Sequence, residues 1–278
     1  MSDPSDNDKK NLPAVRPESS STLASLARAK TLIRLTESVL GEKFALPARS
    51  DAWLDELIAW ANENQLPDYH EDEDGDFVGF PRDKEKILSL TDLPLRGNPL
   101  TKLPESIGNL TNLKSLDLVD NQLAELPETI GNLTNLIGLY LHNNQLAELP
   151  ELIGNLTNLR MLYLGENQLA ELPETIGNLT NLERLGLWEN QLAELPEAIG
   201  NLTNLERLYL WDNQLVRIPE SIGNLTNLEV LELGRNQLVE LPESIGNLTN
   251  LKELKLWDNP IKKLPPHLSH LENITKYY

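Results

Sequence analysis

Residues 113–135 read LKSLDLVDNQLAELPETIGNLTN, and this string returns with small changes every 23 residues. Such a short period is typical of a solenoid, in which each unit buries its apolar face against the next unit. The sequence therefore predicts one stacked array instead of separate closed domains. Eight units fit LxxLxLxxNxLxxLPxxIxxLxx with few exceptions, and they begin at Leu90, Leu113, Leu136, Leu159, Leu182, Leu205, Leu228 and Leu251.

The LxxLxL segment at the start of each unit predicts a short strand. Its leucines alternate, so they point to the core while the residues between them point away from it. Stacked strands of this kind form a parallel sheet with a spacing of about 4.8 Å, and eight of them make a ribbon roughly 35 Å long. The predicted fold is a curved α/β solenoid with a parallel sheet on its concave side.

The rest of each unit predicts the return path of the chain. An asparagine follows each strand, where its amide can donate to and accept from buried backbone groups. In the LPExIG segment, Pro127 is expected at the first helical position, Glu128 near the positive end of the helix dipole and Gly131 as the stop. The asparagines are Asn98, Asn121, Asn144, Asn167, Asn190, Asn213, Asn236 and Asn259.

The residues before the array predict an N-terminal cap. Residues 1–20 are polar and lack periodicity, which is typical of a disordered leader. Residues 21–89 are expected to form the cap, with one helix within residues 22–40 and a second after Ser50 whose apolar face includes Trp53 and Trp60. These tryptophans are interpreted as packing residues. Phe77 and Phe80 are expected to cover the core beside the first strand, within a degenerate half-repeat.

An acidic loop, DYHEDEDGD at residues 68–76, lies inside this cap. With Gly75 at the sixth position of an EF-hand loop, His70 and Pro81 would occupy the first and twelfth positions, where Asp and Glu are needed. We therefore interpret the loop as a solvated acidic turn instead of a calcium site. His267 and His270 are only half of a zinc site. No cofactor or metal is expected.

Composition narrows the classes of partner. The net charge of −19 disfavours nucleic acid and anionic membrane surfaces, and it favours a protein partner with basic residues. The absence of cysteine excludes disulfides and thiol catalysis, and it fits a reducing compartment. The first residues contain no apolar run typical of a secretory signal. We therefore expect a cytoplasmic protein.

The consensus LxxLxLxxNxLxxLPxxIxxLxx resembles that of leucine-rich repeat proteins of the 23-residue class. It is similar to the intracellular Ras-group proteins of plants, to animal Ras-pathway scaffolds and to the repeat halves of bacterial Roco GTPases. The regular GNLTNL tract resembles bacterial members. This resemblance implies a curved solenoid that binds other proteins. The sequence contains no GxxxxGK[ST] loop, GxSxG elbow or HExxH motif, so no enzyme activity is expected.

The variable positions of the strands carry the candidate site. With places counted from the first leucine of each unit, every aromatic residue of the array stands at the fifth or seventh place, facing out from the concave sheet. An exposed patch of this kind predicts a binding surface centred on the third to sixth units, although the preference of aromatic residues for strands is an alternative explanation. The aromatic residues are Tyr140, Tyr163, Trp188, Tyr209, Trp211 and Trp257.

Charged residues flank these aromatic residues. Acidic residues at the eighth place, which include Glu189 and Asp212, predict a basic partner. Arg184 and Arg207 are stacked at the third place, where adjacent like charges cost up to about 1 kcal/mol unless Glu232 or a partner carboxylate offsets them. Gly186 predicts a slot for a partner side chain, walled by the neighbouring aromatic rings, with harmless sequence drift as the alternative.

Together these features predict a noncatalytic recognition module or scaffold that binds a partner protein through its concave face. Two alternatives remain: the sensor or targeting subunit of a separate GTPase or effector enzyme, or a self-associating structural repeat protein. The short C-terminal end, residues 274–278, follows the eight repeats at 90–273 and enters a ninth strand at Ile274. An open edge of this kind predicts a monomer or a weak homodimer through that edge.

Overall fold

Each 23-residue unit of the chain makes one turn of a solenoid in a computed structural model, which describes residues 51–73, 77–264 and 268. A turn consists of a three-residue strand, a tight bend and a short 3-10 helix. The strands of the array are β3 (Asp92–Pro94), β4 (Ser115–Asp117), β5 (Gly138–Tyr140), β6 (Met161–Tyr163), β7 (Arg184–Gly186), β8 (Arg207–Tyr209), β9 (Val230–Glu232) and β10 (Glu253–Lys255). The 3-10 helices are Glu105–Asn109, Glu128–Asn132, Glu151–Asn155, Glu174–Asn178, Glu197–Asn201, Glu220–Asn224 and Glu243–Asn247.

The eight strands form one parallel sheet in sequence order from β3 to β10. Equivalent positions of neighbouring units pair in the sheet, so that Leu162 pairs with Leu185 and Leu185 pairs with Leu208. These middle leucines are fully buried, while the residues on either side of them face out over the sheet. The strand prediction and the predicted parallel concave sheet are confirmed.

The N-terminal flank contains helix α1 (Ala52–Glu63), a hairpin of β1 (His70–Glu71) and β2 (Phe77–Val78), and helix α2 (Lys84–Ser89). Helix α1 buries Leu54, Leu57, Trp60 and Ala61. Trp60 Nε1 donates to the Lys102 carbonyl oxygen at 3.3 Å, and the Trp60 ring meets Phe80 edge-on at 5.9 Å. The helix thus covers the first turn of the array as a cap, and its tryptophans are packing residues.

Helix α1 begins after Ser50, as expected, and its N-cap is Asp51, whose side chain makes no capping hydrogen bond. One detail of the predicted cap is wrong. Phe77 does not cover the core, because its side chain is 50% exposed and its ring stacks on Tyr69 at 5.2 Å on the hairpin. Phe80 alone fills the expected place and is fully buried. The hairpin register explains this difference, since neighbouring strand residues point to opposite faces.

The buried asparagines join each turn to the one before it. Asn144 Nδ2 donates to the carbonyl oxygens of Leu118 and Leu141 at 2.9 and 3.0 Å, and its Oδ1 accepts from the backbone N–H of Leu123 at 3.0 Å. The same pattern repeats with a buried asparagine in every turn from Asn121 to Asn236. These amides replace the ladder hydrogen bonds that the bend interrupts, as the sequence predicts.

The LPExIG segment has a different geometry from the predicted one. Pro127 is the N-cap residue and Glu128 begins the 3-10 helix, while Gly131 lies inside the helix and not after it. A Cβ on Gly131 would lie 2.4 Å from the Leu152 carbonyl oxygen of the next turn. This glycine therefore permits close contact between turns and does not stop the helix.

Several predictions fall outside the described residues: the leader, the helix within residues 22–40, the paired histidines His267 and His270, the end at 274–278 and the homodimer through that end. The structure describes the acidic loop only up to Glu73. Within this part, His70–Glu71 form strand β1 of the hairpin. Among the described residues, no helix is long and apolar enough to cross a membrane. In the same part of the chain, no group of three or more His, Asp or Glu side chains is placed to hold a metal ion.

Candidate functional site

Five aromatic side chains from four successive turns meet on the concave face. This aromatic cluster consists of Tyr140 on β5, Tyr163 on β6, Tyr209 on β8, and Trp188 and Trp211, two residues beyond β7 and β8. All five are half-buried. The rings of Tyr140 and Tyr163 stack with centroids 5.8 Å apart. The sequence prediction of an aromatic surface centred on the third to sixth units agrees with this placement.

Trp188 is the centre of the aromatic cluster. Its indole stacks on Trp211 at 6.3 Å with an interplanar angle of 12°, and it meets Tyr209 edge-on at 6.4 Å. It also lies 6.0 Å from Tyr163 and 5.9 Å from the imidazole of His142. Offset and edge-on pairs of this kind add about 0.5 to 1.5 kcal/mol each beyond the area that they bury. The exposed aromatic surface is therefore pre-organised by its own packing.

The predicted slot at Gly186 does not exist, because the indole of Trp188 fills it. The strand register does place Gly186 between Tyr163 and Tyr209, as expected. However, a Cβ on Gly186 would lie 2.2 Å from Trp188 Cζ3, and a Cβ on Gly165 would lie 2.1 Å from Trp188 Cε2. The two glycines thus form a platform on which Trp188 rests. The slot hypothesis is wrong, and Gly186 supports the aromatic cluster without offering a cavity.

Trp257 also lies over a glycine, but in a part of the sheet outside the aromatic cluster. Its indole covers Gly234, whose Cβ would lie 2.1 Å from Trp257 Cε2. Gly234 occupies the seventh place of the turn between those of Trp211 and Trp257. A glycine at the seventh place followed by a tryptophan at the same place one unit later is therefore a sequence signal for a tryptophan that lies flat on the sheet.

Arg184 and Arg207 form an arginine pair beside the aromatic cluster, at matching positions on β7 and β8. The Nε atoms of both are buried and have no hydrogen-bond partner among the described residues. The guanidinium of Arg207 donates a hydrogen bond to Tyr209, which raises the pKa of Arg207. The prediction that Glu232 offsets this pair is wrong, because its carboxylate contacts Lys255 Nζ at 2.6 Å and it stands opposite Tyr209 in the sheet.

On the other side of the aromatic cluster runs an acidic row of Glu166, Glu189 and Asp212. Asp212 forms an ion pair with Arg235 at 2.8 Å. Loss of solvent around the Glu189 carboxyl, with the charges of Glu166 and Asp212, raises the pKa of Glu189. The folded chain therefore holds this proton more tightly than the unfolded chain does. The resulting contribution to stability is present below the ordinary pKa and is lost as pH rises through the raised value.

Each residue of the acidic row also has a left-handed backbone. The φ angles of Glu166, Glu189 and Asp212 are 54°, 49° and 58°. This conformation places the Cβ close to a carbonyl oxygen, and it costs a residue other than glycine about 1 to 2 kcal/mol. We expect Glu189→Gly to raise the free energy of unfolding by about 1 kcal/mol in urea denaturation. Glu189→Gln is the matched control, since it removes the charge but keeps the Cβ. An equal gain in both variants would assign the effect to charge and not to the backbone.

Sequence analysis missed His142, which also belongs to the site. It stands at the seventh place, as Trp188 and Trp211 do, and that shared place was the available signal. Its Nδ1 is buried without a hydrogen-bond partner in the described residues. Burial, followed by the nearby charge of Arg96, lowers the pKa of His142. The neutral imidazole thus extends the aromatic surface towards the second turn.

Four grooves lie along the two edges of the solenoid, away from the aromatic cluster. One of about 410 Å³ is lined by Glu194, Glu197, Arg217 and Glu220, and another of about 410 Å³ lies beside Trp60. Two more, of about 620 and 540 Å³, follow the exposed asparagines at the opposite edge. None of these four is lined by an aromatic residue of the cluster.

Comparison with known proteins agrees with this architecture. A family described as "Leucine-rich repeat region" matches residues 82–165 and 151–237, and "Leucine Rich Repeat" matches residues 227–248 and 250–271. The chain belongs to the leucine-rich repeat family. No curated protein matches this leucine-rich repeat chain at a significant level.

Solved leucine-rich repeat structures are similar over about two thirds of the chain. A leucine-rich repeat protein of Leptospira interrogans is 35% identical with a TM-score of 0.56, covering 69% of this chain and 55% of that one. The ectodomain of the Arabidopsis thaliana receptor kinase GASSHO1/SCHENGEN3, in complex with CASPARIAN STRIP INTEGRITY FACTOR 2, is 38% identical with a TM-score of 0.62, covering 70% and 24%. The plant peptide hormone receptor RGFR1, in complex with RGF2, is 34% identical with a TM-score of 0.54, covering 69% and 37%. This chain thus spans about half or less of the length of these relatives.

Proposed function

We propose that this leucine-rich repeat protein recognises another protein, without catalysis, through the aromatic cluster on its concave face. The observation that carries the proposal is five half-buried aromatic rings, packed against one another and open to solvent. Tryptophan and tyrosine anchor protein interfaces because they bury a large area at little cost in side-chain entropy. The open shape fits the surface of a partner better than it fits an enclosed small molecule.

Two further features support a protein partner. Both plant receptors named above were solved in complex with another molecule, a peptide hormone in the case of RGFR1, so this fold supports such recognition elsewhere. The net charge of −19 and the acidic row favour a partner that carries basic residues, which the field of the protein would steer towards the face. Because the chain has no cysteine, we place this recognition in the cytoplasm.

Removing one ring of the aromatic cluster, that of Trp211, tests the proposal. The partner would be captured from native lysate on the full chain and then purified, and its affinity would be measured by calorimetry. We expect Trp211→Ala to weaken binding by about 2 kcal/mol, or roughly 30-fold, as for a central aromatic anchor. Circular dichroism would verify the fold of the variant.

Tyr69→Ala is the matched control, since it removes a half-buried aromatic ring from the N-terminal hairpin. Unchanged affinity in Trp211→Ala would move the interface away from the aromatic cluster. Capture of a GTPase or another enzyme would support the targeting-subunit alternative, and capture of the chain itself would support self-association.

A further inference from the structure

Two rows of like charge border the aromatic cluster on opposite sides. The arginine pair, Arg184 and Arg207, stands at the third place of its turns. The acidic row stands at the eighth place of the fourth to sixth turns. Both rows cross turns that also carry the aromatic rings. Along the strand direction, the side chains of the concave face therefore change from the positive arginine pair to the aromatic rings and then to the negative acidic row.

The arginine pair differs from most of the other described arginines because neither member forms an ion pair, although Arg207 is hydrogen-bonded to Tyr209 and lies near the charges of Glu229 and Glu206. Arg96, Arg160, Arg217 and Arg235 each form an ion pair with a carboxylate, and Arg82 donates to Asn62 and to backbone carbonyl groups. Arg184 and Arg207 form no such ion pair within the described residues, and their sheet neighbours at the third place are Met161 and Val230. Two guanidinium groups at matching positions of neighbouring strands can bind the two oxygens of one carboxylate.

The acidic row lacks compensation at its centre. Asp212 is paired with Arg235, but neither Glu166 nor Glu189 has an ion pair within residues 51–73, 77–264 and 268. Trp188 Nε1 lies 3.5 Å from Glu166 Oε1, at the outer limit of a hydrogen bond. A lysine or arginine from a partner could contact both glutamates while its aliphatic stem lies on the indoles of Trp188 and Trp211.

The distance between the two rows sets the spacing of the groups that they would bind. Five residues separate the third place from the eighth, and an extended strand rises about 3.3 Å per residue, so the rows are separated by at most about 16 Å. An extended peptide covers this distance in about five residues. The aromatic rings would then lie beneath the peptide residues between the two charges.

We infer that the concave face binds an extended segment of a partner protein, in which a carboxylate and a lysine or arginine lie about five residues apart. The carboxylate contacts the arginine pair, and the basic side chain contacts Glu166 and Glu189. The inference deepens the proposed function and rests on it, because it specifies the chemistry of the partner at the same surface. Each charged group of the segment supplies an opposite charge to side chains that form no ion pair among the described residues.

An array of synthetic peptides tests the spacing directly. Ten-residue peptides would carry one Asp and one Lys in both orders, separated by one to seven positions around a central Leu or Phe, and they would be probed with the purified full chain. We expect binding to peak at a separation of about five residues. Copies with free and amidated C-termini would distinguish a terminal carboxylate from a side-chain one. Equal binding at every separation would overturn the inference.

Variants of the two rows test which row contacts which charge. We expect Arg184→Gln with Arg207→Gln to weaken the selected peptides by about tenfold or more and to remove the preference for Asp, since charge-assisted contacts are of that size. Glu166→Gln with Glu189→Gln should remove the preference for Lys instead. Arg217→Gln with Glu194→Gln is the matched control, because this exposed ion pair lies in an edge groove.

The outcomes separate the inference from the proposed function. If Trp211→Ala abolishes binding while both double variants bind the same peptides as the wild type, the face recognises proteins but the charge arrangement is wrong. If Trp211→Ala has no effect on any bound peptide, the proposed function fails as well. Thermal denaturation of each variant would verify that it folds, and constant ionic strength keeps screening equal across the set.

Discussion

Asn190→Ala should lower the free energy of unfolding by about 3 to 5 kcal/mol, the largest effect expected of any single substitution described above. The Asn190 Nδ2 atom donates to the carbonyl oxygens of Leu164 and Leu187 at 2.9 and 3.2 Å, and Oδ1 accepts from the backbone N–H of Leu169 at 3.0 Å. Alanine would leave the Leu169 N–H buried without its acceptor, at about 1 to 3 kcal/mol. It would also remove one donor from each of the two carbonyl oxygens, which still accept from Asn167 and Asn213, at about 0.5 to 1.5 kcal/mol for each lost hydrogen bond. Urea denaturation with an unchanged m-value would measure the loss.

Asn181→Ala is the control for Asn190→Ala, because it removes the same side chain from the exposed edge of a turn. Asn181 Nδ2 makes one hydrogen bond, to the Thr157 carbonyl oxygen at 2.8 Å. Water can replace an exposed hydrogen bond, so the expected loss is about 1 kcal/mol or less. Similar losses in the two variants would contradict the structural role assigned to the buried asparagines.

The asparagines show why so much of this fold could be predicted from the sequence. Asn190 contacts residues at fixed offsets, one turn before it and within its own turn, so the 23-residue period specifies the contact. The same reasoning holds for Leu185, which faces the core because neighbouring strand residues alternate. Local pattern and global fold agree at these positions, and such agreement makes a fold predictable.

The candidate site was less predictable because it depends on contacts between side chains of different turns. The fifth and seventh places correctly indicated which aromatic residues share the concave face. They did not reveal that the indole of Trp188 lies across Gly165 and Gly186, because side-chain direction is not contained in the repeat pattern. Sequence reasoning treated the missing side chain of Gly186 as empty space, whereas a packed interior fills such space with a neighbour.

The regular and variable positions of each turn have separate physical roles. Leucine, asparagine and glycine at the regular places hold neighbouring turns together, so the residues at the outward places are free to differ. At the fifth place the array changes from Asp117 to Tyr140 and later to Gly186 without any change in strand register. The outward residues can therefore differ in charge and in aromatic character from one turn to the next, while the backbone of the solenoid stays the same.

Gly177→Ala should lower the free energy of unfolding by about 2 to 3 kcal/mol, although alanine is normally the better residue in a helix. Gly177 lies inside the 3-10 helix Glu174–Asn178. Its Cβ would lie 2.6 Å from the Ala198 carbonyl oxygen and 2.7 Å from the Ala198 Cβ in the next turn. These contacts are with backbone and a Cβ that cannot rotate away, so the two turns would have to separate. Urea denaturation would measure the loss.

Gly138→Ala is the matched control, because the atoms that its Cβ would meet can move. The nearest are Cε2 and Oη of Tyr140, both at 2.9 Å, at the far end of a flexible side chain. Alanine is also favoured over glycine in a strand, since it loses less backbone entropy on folding. We expect Gly138→Ala to change the free energy of unfolding by less than about 1 kcal/mol.

If both variants are equally stable, the close approach between turns does not explain the glycine at this place of the repeat. A loss only in Gly177→Ala would show that the 3-10 side of the solenoid is limited by contact between turns, while the concave side tolerates a change of side chain.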